Sequence, residues 1–262
     1  MNKKTSLPDS VRALAQAGKW HAPRMEEDEL LFSLGSPALD KRLNGGLSRH
    51  ALHEIFGTGQ DDGGTTSAFA LLLALRLGPE ERRIYWISDE RQERASGYIY
   101  PLGLADLGAD PDNMVIVRTA NMLDSLRAAA DAIRSRSACA VILETHGKAK
   151  IFDLTSSRRL SLAAREAGVL ALVIRNDAMP MPSAAVSRWQ VQPAPSQPLL
   201  ANAPGFPAFD VSLLRHRGGI APFETRLFWD HENRSFHDAL LFGSLPSVVA
   251  SREAEPGSRR IA

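Results

Sequence analysis

Cysteine is nearly missing. One residue in 262, Cys139, cannot build an intrachain disulfide framework. Its place in the apolar run ACAVIL suits a reducing cytoplasm. No apolar run approaches the roughly 18 residues a membrane-spanning helix needs, so no membrane span is expected. The opening residues MNKKTSLPDS lack the apolar core of a secretory signal. An excess of one charge is absent too: 31 Lys and Arg stand against 30 Asp and Glu, a net +1. No global basic field therefore draws nucleic acid, and such contact has to come from a local patch. The seven histidines are scattered. His50 and His53 lie three apart with no further ligand set nearby, so no metal site is expected. No Ser/His/Asp arrangement or nucleophile turn is visible, and there is no internal repeat.

What is present centres on residues 51–73, ALHEIFGTGQDDGGTTSAFALLL. Ala51 to Phe56 reads as a buried strand. Gly57, Gly59, Gly63 and Gly64 make a turn, and Thr65 to about Leu77 reads as an amphipathic helix ended by Gly78-Pro79. Strand, glycine turn and helix N-terminus describe a phosphate-binding loop, because free helix N–H groups and close backbone approach suit an anion. The standard form, G-x-x-x-x-G-K-[ST], needs a lysine for the terminal phosphates and a hydroxyl for the metal. Counting from Gly59, Thr65 stands in the lysine place. Counting from Gly57 with one residue inserted, Gly64 does. Neither alignment supplies lysine, and Asp61 and Asp62 bring negative charge to the place of the phosphates.

Elsewhere the chain alternates strands and helices. A short helix is expected within 8–19, and another carrying Leu39 and Leu43, stopped by Asn44-Gly45-Gly46. Strands are expected at Ile84–Ile87, Met114–Arg118, Ala140–Leu143 and Leu170–Ile174. Asn121 caps a helix running to about Arg136, and residues 154–167 form another, stopped by Gly168. In 91–108, Pro101 and Gly103 are expected to break any helix. This rhythm predicts an α/β fold: a mostly parallel central sheet flanked by helices. Residues 176–208 are proline-rich and read as an extended loop interrupted by a short strand at Ser187–Val191. Phe209–His216 and Thr225–Trp229, joined through Arg217-Gly218-Gly219, read as a C-terminal antiparallel β-hairpin at the sheet edge. The expected organisation is an N-terminal helix and linker over 1–30, a core over 31–244, and a disordered charged tail over 245–262.

The segment SLGSPALDKRLNGGLSRHALHEIFG resembles the lead-in to the phosphate loop in the RecA superfamily. Leu39-Asp40, Gly45-Gly46-Leu47 and Glu54-Ile55-x-Gly57 carry the resemblance in combination. It extends to about residue 175 and covers roughly two thirds of the chain. The compact length and the run FDVSLLRHRGG…FETRLFWD are similar to a branch with degraded nucleotide motifs, the ImuA-type accessory proteins of bacterial mutagenesis cassettes. The resemblance implies a RecA-like P-loop core and a cytoplasmic role in damage-induced, error-prone translesion DNA synthesis. The implied partners are a Y-family-polymerase-like protein and an error-prone replicative-type polymerase. Self-association or contact with RecA, and single-stranded DNA, complete the implied set.

A working ATPase of this type needs a cation on the phosphates, a metal-binding hydroxyl, a water-activating carboxylate and a metal-side acid. Thr65 or Thr66 supplies the hydroxyl. Glu90, or Asp89, matches the water-activating position, and Glu144 stands where the metal-side acid belongs. Each glutamate also reads as an ordinary strand-end carboxylate. With the lysine missing, ATP and Mg²⁺ are expected to bind without turnover or not at all. For DNA, the candidates are Lys148 and Lys150 after the fourth strand, and Arg175, Arg188 and Trp189, which would contact phosphates and stack a base. Three readings remain: a non-catalytic adaptor binding polymerase subunits, an active ATP-dependent single-stranded-DNA-binding ATPase, and an SOS-linked cell-division inhibitor.

Overall fold

The computed structural model describes residues 31–59, 62–77, 82–196 and 205–238. The helix expected within 8–19, the tail 245–262 and Asp61 lie outside them.

Two short strands, β1 (Leu31–Phe32) and β2 (Leu47–Ser48), pair antiparallel around helix α1 (Pro37–Arg42). Pro37 opens α1, and the Ser36 hydroxyl caps it by accepting from the Leu39 amide at 3.3 Å. The Gly45-Gly46 stop is sterically obligatory. A Cβ on Gly46, at φ +133°, would meet the Phe32 carbonyl oxygen at 2.1 Å.

The core follows as β3 (Leu52–Gly57), α2 (Gly63–Leu75), β4 (Arg83–Asp89), α3 (Glu90–Ser96), α4 (Pro101–Asp106), β5 (Met114–Thr119), α5 (Met122–Arg134), β6 (Ala138–His146), α6 (Leu154–Ala167), β7 (Leu170–Asn176), β8 (Ser187–Ala194), β9 (Ala208–His216), β10 (Phe223–Asp230) and β11 (Ser235–Asp238). Nine strands form one sheet in the order β11-β10-β9-β8-β3-β7-β6-β4-β5. From β8 to β5 neighbours run parallel, and β9, β10 and β11 extend the sheet antiparallel. The expected parallel sheet, flanking helices and C-terminal hairpin are all present.

Local chemistry explains most boundaries. The Asn121 side chain accepts from the Asp124 amide at 3.1 Å and starts α5. Asp153 and Ser156 cap each other reciprocally at the start of α6, and Gly168 ends it at φ +71°. Four expectations need correction. Helix α2 begins at Gly63, not Thr65. It is not amphipathic either: Phe69 to Leu75 are all buried, because the antiparallel strands and the β1–α1 segment cover the side turned from the central sheet. Phe69 packs between Phe209 at 5.7 Å and Phe236 at 5.5 Å. Pro101 does not break a helix but opens α4, where its missing N–H costs nothing. Finally, the strand read as an interruption of the proline-rich loop is central. β8 lies between β3 and β9 and runs to Ala194.

A second apolar layer packs α5 and α6 on the opposite face, with Ile133, Leu160 and Ala164 against Val141, Leu143 and Val173. Two polar networks are sealed into the sheet. Glu54 on β3 pairs with Arg188 on β8 at 2.8 Å and with Arg175 on β7 at 3.7 Å. On the other face Trp189 Nε1 donates to Ser187 Oγ at 2.7 Å, Ser187 meets His53 Nδ1 at 2.6 Å, and His53 Nε2 meets the Ser48 carbonyl at 2.9 Å. That chain assigns the imidazole proton to Nε2. No helix among the described residues is long and apolar enough to cross a membrane.

Two predictions follow from these networks. Glu54→Gln strands two buried guanidinium groups and should cost about 3–5 kcal/mol in urea unfolding. Burial holds His53 at about 4 against its ordinary 6.5, with the Ser48 carbonyl opposing and His216 adding slightly. The unfolded chain therefore takes up this proton first as pH falls. The stability contribution is whole above about pH 6.5 and drains away towards about pH 4, by about 3 kcal/mol. Urea titrations across that window should show the loss, and His53→Gln should flatten it.

Candidate functional site

The site lies at the C-terminal ends of the central parallel strands, the usual place for ligands in such sheets. Gly57 ends β3 and Asp62 precedes α2, so the loop meets a helix N-terminus as its sequence predicts. Free amides there would ordinarily grip a phosphate. Here the Asp62 side chain makes no cap bond to the helix and turns back to the two amides that follow β3. Asp62 Oδ2 accepts from the Thr58 amide at 2.8 Å, the Gly59 amide at 2.8 Å and the Thr58 hydroxyl. Partial burial raises the pKa of this carboxyl, but the hydroxyl and the two amides outweigh it and hold the group below the usual carboxylate range. A charged oxygen therefore sits in the glycine turn, one residue before the helix N-terminus, at neutral pH. Gly57 makes the close approach feasible: a Cβ there would come within 3.0 Å of Asp62 Cβ.

The remaining loop residues divide. Thr66 is fully buried and donates towards Asn176 Oδ1 at 2.7 Å and the Gly63 carbonyl at 3.0 Å, so it is a structural hydroxyl rather than an open metal ligand. Thr65 is half-buried and Gly64 exposed. A Cβ on Gly64 would meet nothing within 4 Å, so the lysine place is empty in space as well as in chemistry.

Glu144, at the end of β6, accepts a hydrogen bond from Ser67 one turn into α2. Burial pushes its carboxyl pKa up, the Ser67 hydroxyl opposes, and Glu93 adds repulsion. The buried Trp86 Nε1 also faces this carboxylate and opposes the rise, although it falls short of good hydrogen-bond geometry with any described residue. Glu144, Trp86, Ser67, Gly63 and Gly64 share an open cavity of about 190 Å³, bordered by Tyr98, Ile99 and Leu104. Glu90 does not line it. It is the exposed first residue of α3 and pairs with Arg94 at 3.1 Å. The two candidate glutamates are therefore in different settings, one buried beside the loop and one salt-bridged in solvent. No group of three or more His, Cys, Asp or Glu side chains among the described residues is arranged to hold a metal. The Thr66 hydroxyl is committed to Asn176, no lysine stands in the loop, and Asp62 sets a negative charge beside it, so the described residues do not fit ATP and Mg²⁺.

The DNA candidates also divide. Lys148 and Lys150 are exposed on the turn after β6. Arg175, Arg188 and Trp189 are buried, which corrects their reading as contacts. The two arginines are counter-ions of Glu54, and Arg188 also bonds Ser183 at 2.9 Å and the Met181 carbonyl. Trp189 packs edge-on to Phe223 at 6.0 Å and has no face for a base. Periodicity missed these placements because a basic or aromatic residue near a strand end reads alike whether it faces solvent or core. The role of Asp62 had a faint signal: Asp at a turn before a helix favours bonds to nearby backbone amides.

No protein-family profile matches the chain. The chain is similar to Protein ImuA of Caulobacter vibrioides strain NA1000/CB15N, 29% identical over 204 residues, covering 72% of this chain and 80% of that protein. The ImuA sequence of strain ATCC 19089/CB 15 gives the same figures. Among solved structures, the RadB recombinase superposes with a TM-score of 0.52 at 15% identity, over 79% of this chain and 99% of that one. At that identity the superposition speaks for fold alone. The fold is RecA-like, and the similarities support an ImuA-type, RecA-like protein.

Asp62→Ala should free the Thr58 and Gly59 amides. Calorimetry should then detect pyrophosphate binding that the unaltered chain lacks. Gly64→Lys should leave the thermal midpoint unlowered, since its side chain enters open space and helix propensity favours it by about 0.5–1 kcal/mol.

Proposed function

We propose that this ImuA-like chain is a non-hydrolysing, RecA-like adaptor in damage-induced, error-prone translesion DNA synthesis. It acts in the cytoplasm and joins a Y-family-polymerase-like protein to an error-prone replicative-type polymerase. One observation carries the reading. The carboxylate of Asp62 is fixed in the glycine turn by the Thr58 and Gly59 amides, beside the place of a phosphate, and no lysine side chain stands at Gly64. A phosphate arriving there would meet a fixed negative charge instead of a cation, losing a charge-assisted bond of about 1.5–3 kcal/mol and gaining repulsion.

The sheet and both helical layers are nonetheless intact. Buried networks, capped helices and close-packed aromatics maintain a body whose motor chemistry is not assembled. A retained scaffold without its catalytic groups suits a protein selected for what it holds together. The similarity to ImuA supplies the mutagenic context, together with the resemblance drawn from the run FDVSLLRHRGG…FETRLFWD.

An active ATP-dependent DNA-binding protein is the second reading. Its supports are the exposed Lys148 and Lys150 and the Ser67–Glu144 contact, which sets an acid beside the loop helix. Phosphate release with and without single-stranded DNA separates the two. The adaptor should show none above background in either condition. Robust release abolished by Glu144→Gln or Glu90→Gln would reject it. In a pull-down, the purified chain should retain the two polymerase partners and not the tubulin-like division protein that a cell-division inhibitor would bind.

A further inference from the structure

Helix α6 carries a second, unexplained surface. Leu154, Arg158, Leu162 and Arg165 fall on one stripe of its outer side, at i, i+4, i+8 and i+11. All four are exposed, and Leu162 keeps 52% of its surface open. Arg159 is exposed on the same helix. None of its three arginines has an ion pair among the described residues, in contrast to α5, where Arg127 and Arg134 pair with Asp124 and Asp131.

The stripe continues beyond the helix. Ile151 and Lys150 precede it on the turn after β6, with Lys148 alongside. The Met179–Met181 turn lies at the same end. Its following segment is pinned to α6 where the Ala184 amide donates to Ser157 Oγ at 3.1 Å, and Arg188 grips the Met181 carbonyl from below. Met179 is 81% exposed. The turn is therefore held in place yet presents two flexible apolar side chains outward. The surface carries five cations that have no ion pair among the described residues. Against them stand Glu166, Asp177 and Asp153, and Asp153 is occupied in capping α6.

We infer that α6 and the Met179–Met181 turn form a docking surface for an acidic, apolar-anchored segment of a partner protein. Charge complementarity selects an acidic occupant, and the exposed Leu, Ile and Met side chains supply apolar contacts for its anchors. Methionine suits this work because its unbranched side chain adapts to the incoming surface. Single-stranded nucleic acid is the weaker fit. It is usually held by stacking bases on aromatic faces, and the aromatic residue on the turn into α6, Phe152, is buried. The inference names a surface for the adaptor proposed above and rests on that reading.

The test uses the full chain and fluorescence anisotropy with three labelled probes. One is a synthetic amphipathic peptide with leucine on one face and glutamate on the other. The others are its lysine counterpart and an oligothymidine strand. The glutamate peptide should bind, bind less well as salt rises, and lose about tenfold in affinity with Arg158→Glu or with Leu162→Ser. Met179→Ser should weaken it less. Unchanged melting temperatures in these exposed-site variants confirm that the fold survives. Failure of the glutamate peptide to bind, equal binding of the lysine peptide, or indifference to all three substitutions overturns the proposal. So does oligothymidine binding that is lost with the same substitutions, which would make this a nucleic-acid surface. Phosphate release reports on the loop and not on α6, so the two readings can fail separately.

Discussion

The carboxylate of Glu54 is the tie on which the middle of the sheet depends. It is fully buried on the central strand, and its neighbours on both sides answer it with guanidinium groups. The register explains why: Glu54 stands opposite Arg188 on β8, and Arg175 lies opposite Phe56, one pleat along β7. A lone buried carboxylate would be intolerable, and two buried cations without it would be worse. The same oxygen that binds Arg188 also accepts from Ser183 at 2.8 Å. The network thus fixes the path of the segment entering β8 as well as the sheet. The surface turn at Met179–Met181 keeps its place because of a charge buried under it.

The phosphate loop obeys a related rule. Backbone amides converging on a point must be satisfied, by ligand, water or side chain. Here Asp62 answers them from within the loop. An anion attached to its own cradle acts at a high local concentration, so a dissolved phosphate competes from a distance against a neighbour already in place. The absence of a lysine and the presence of the aspartate act in the same direction. Both make the loop less positive than a phosphate site requires.

Much of the architecture was legible because short-range rules govern it. Asn121 and Gly168 announce a helix start and a helix stop by side-chain hydrogen bonding and left-handed backbone, and both features need only their neighbours. The loop, too, was legible as a strand, a glycine turn and a helix. What escaped was decided by distant partners. Arg175 and Trp189 read as ligands for DNA until the burial of Glu54 and the packing of Phe223 are known. Helix α2 read as amphipathic because nothing local says that β9, β10 and β11 will cover its outer side. Pro101 read as a breaker when its position at the first turn of α4 made it an initiator. Asp62 was visible as a charge in the wrong place, but its bond to the Thr58 and Gly59 amides required the folded loop.

The open space beside Gly64 has a consequence for how the loop can vary. Gly64 is exposed at the start of α2, so a longer side chain there would extend into solvent and displace nothing. Asp62 likewise bonds only within its own turn. The charge presented at this end of the sheet is thus set by side chains that the buried layers do not lean on, and it can change sign while the strands beneath keep their register.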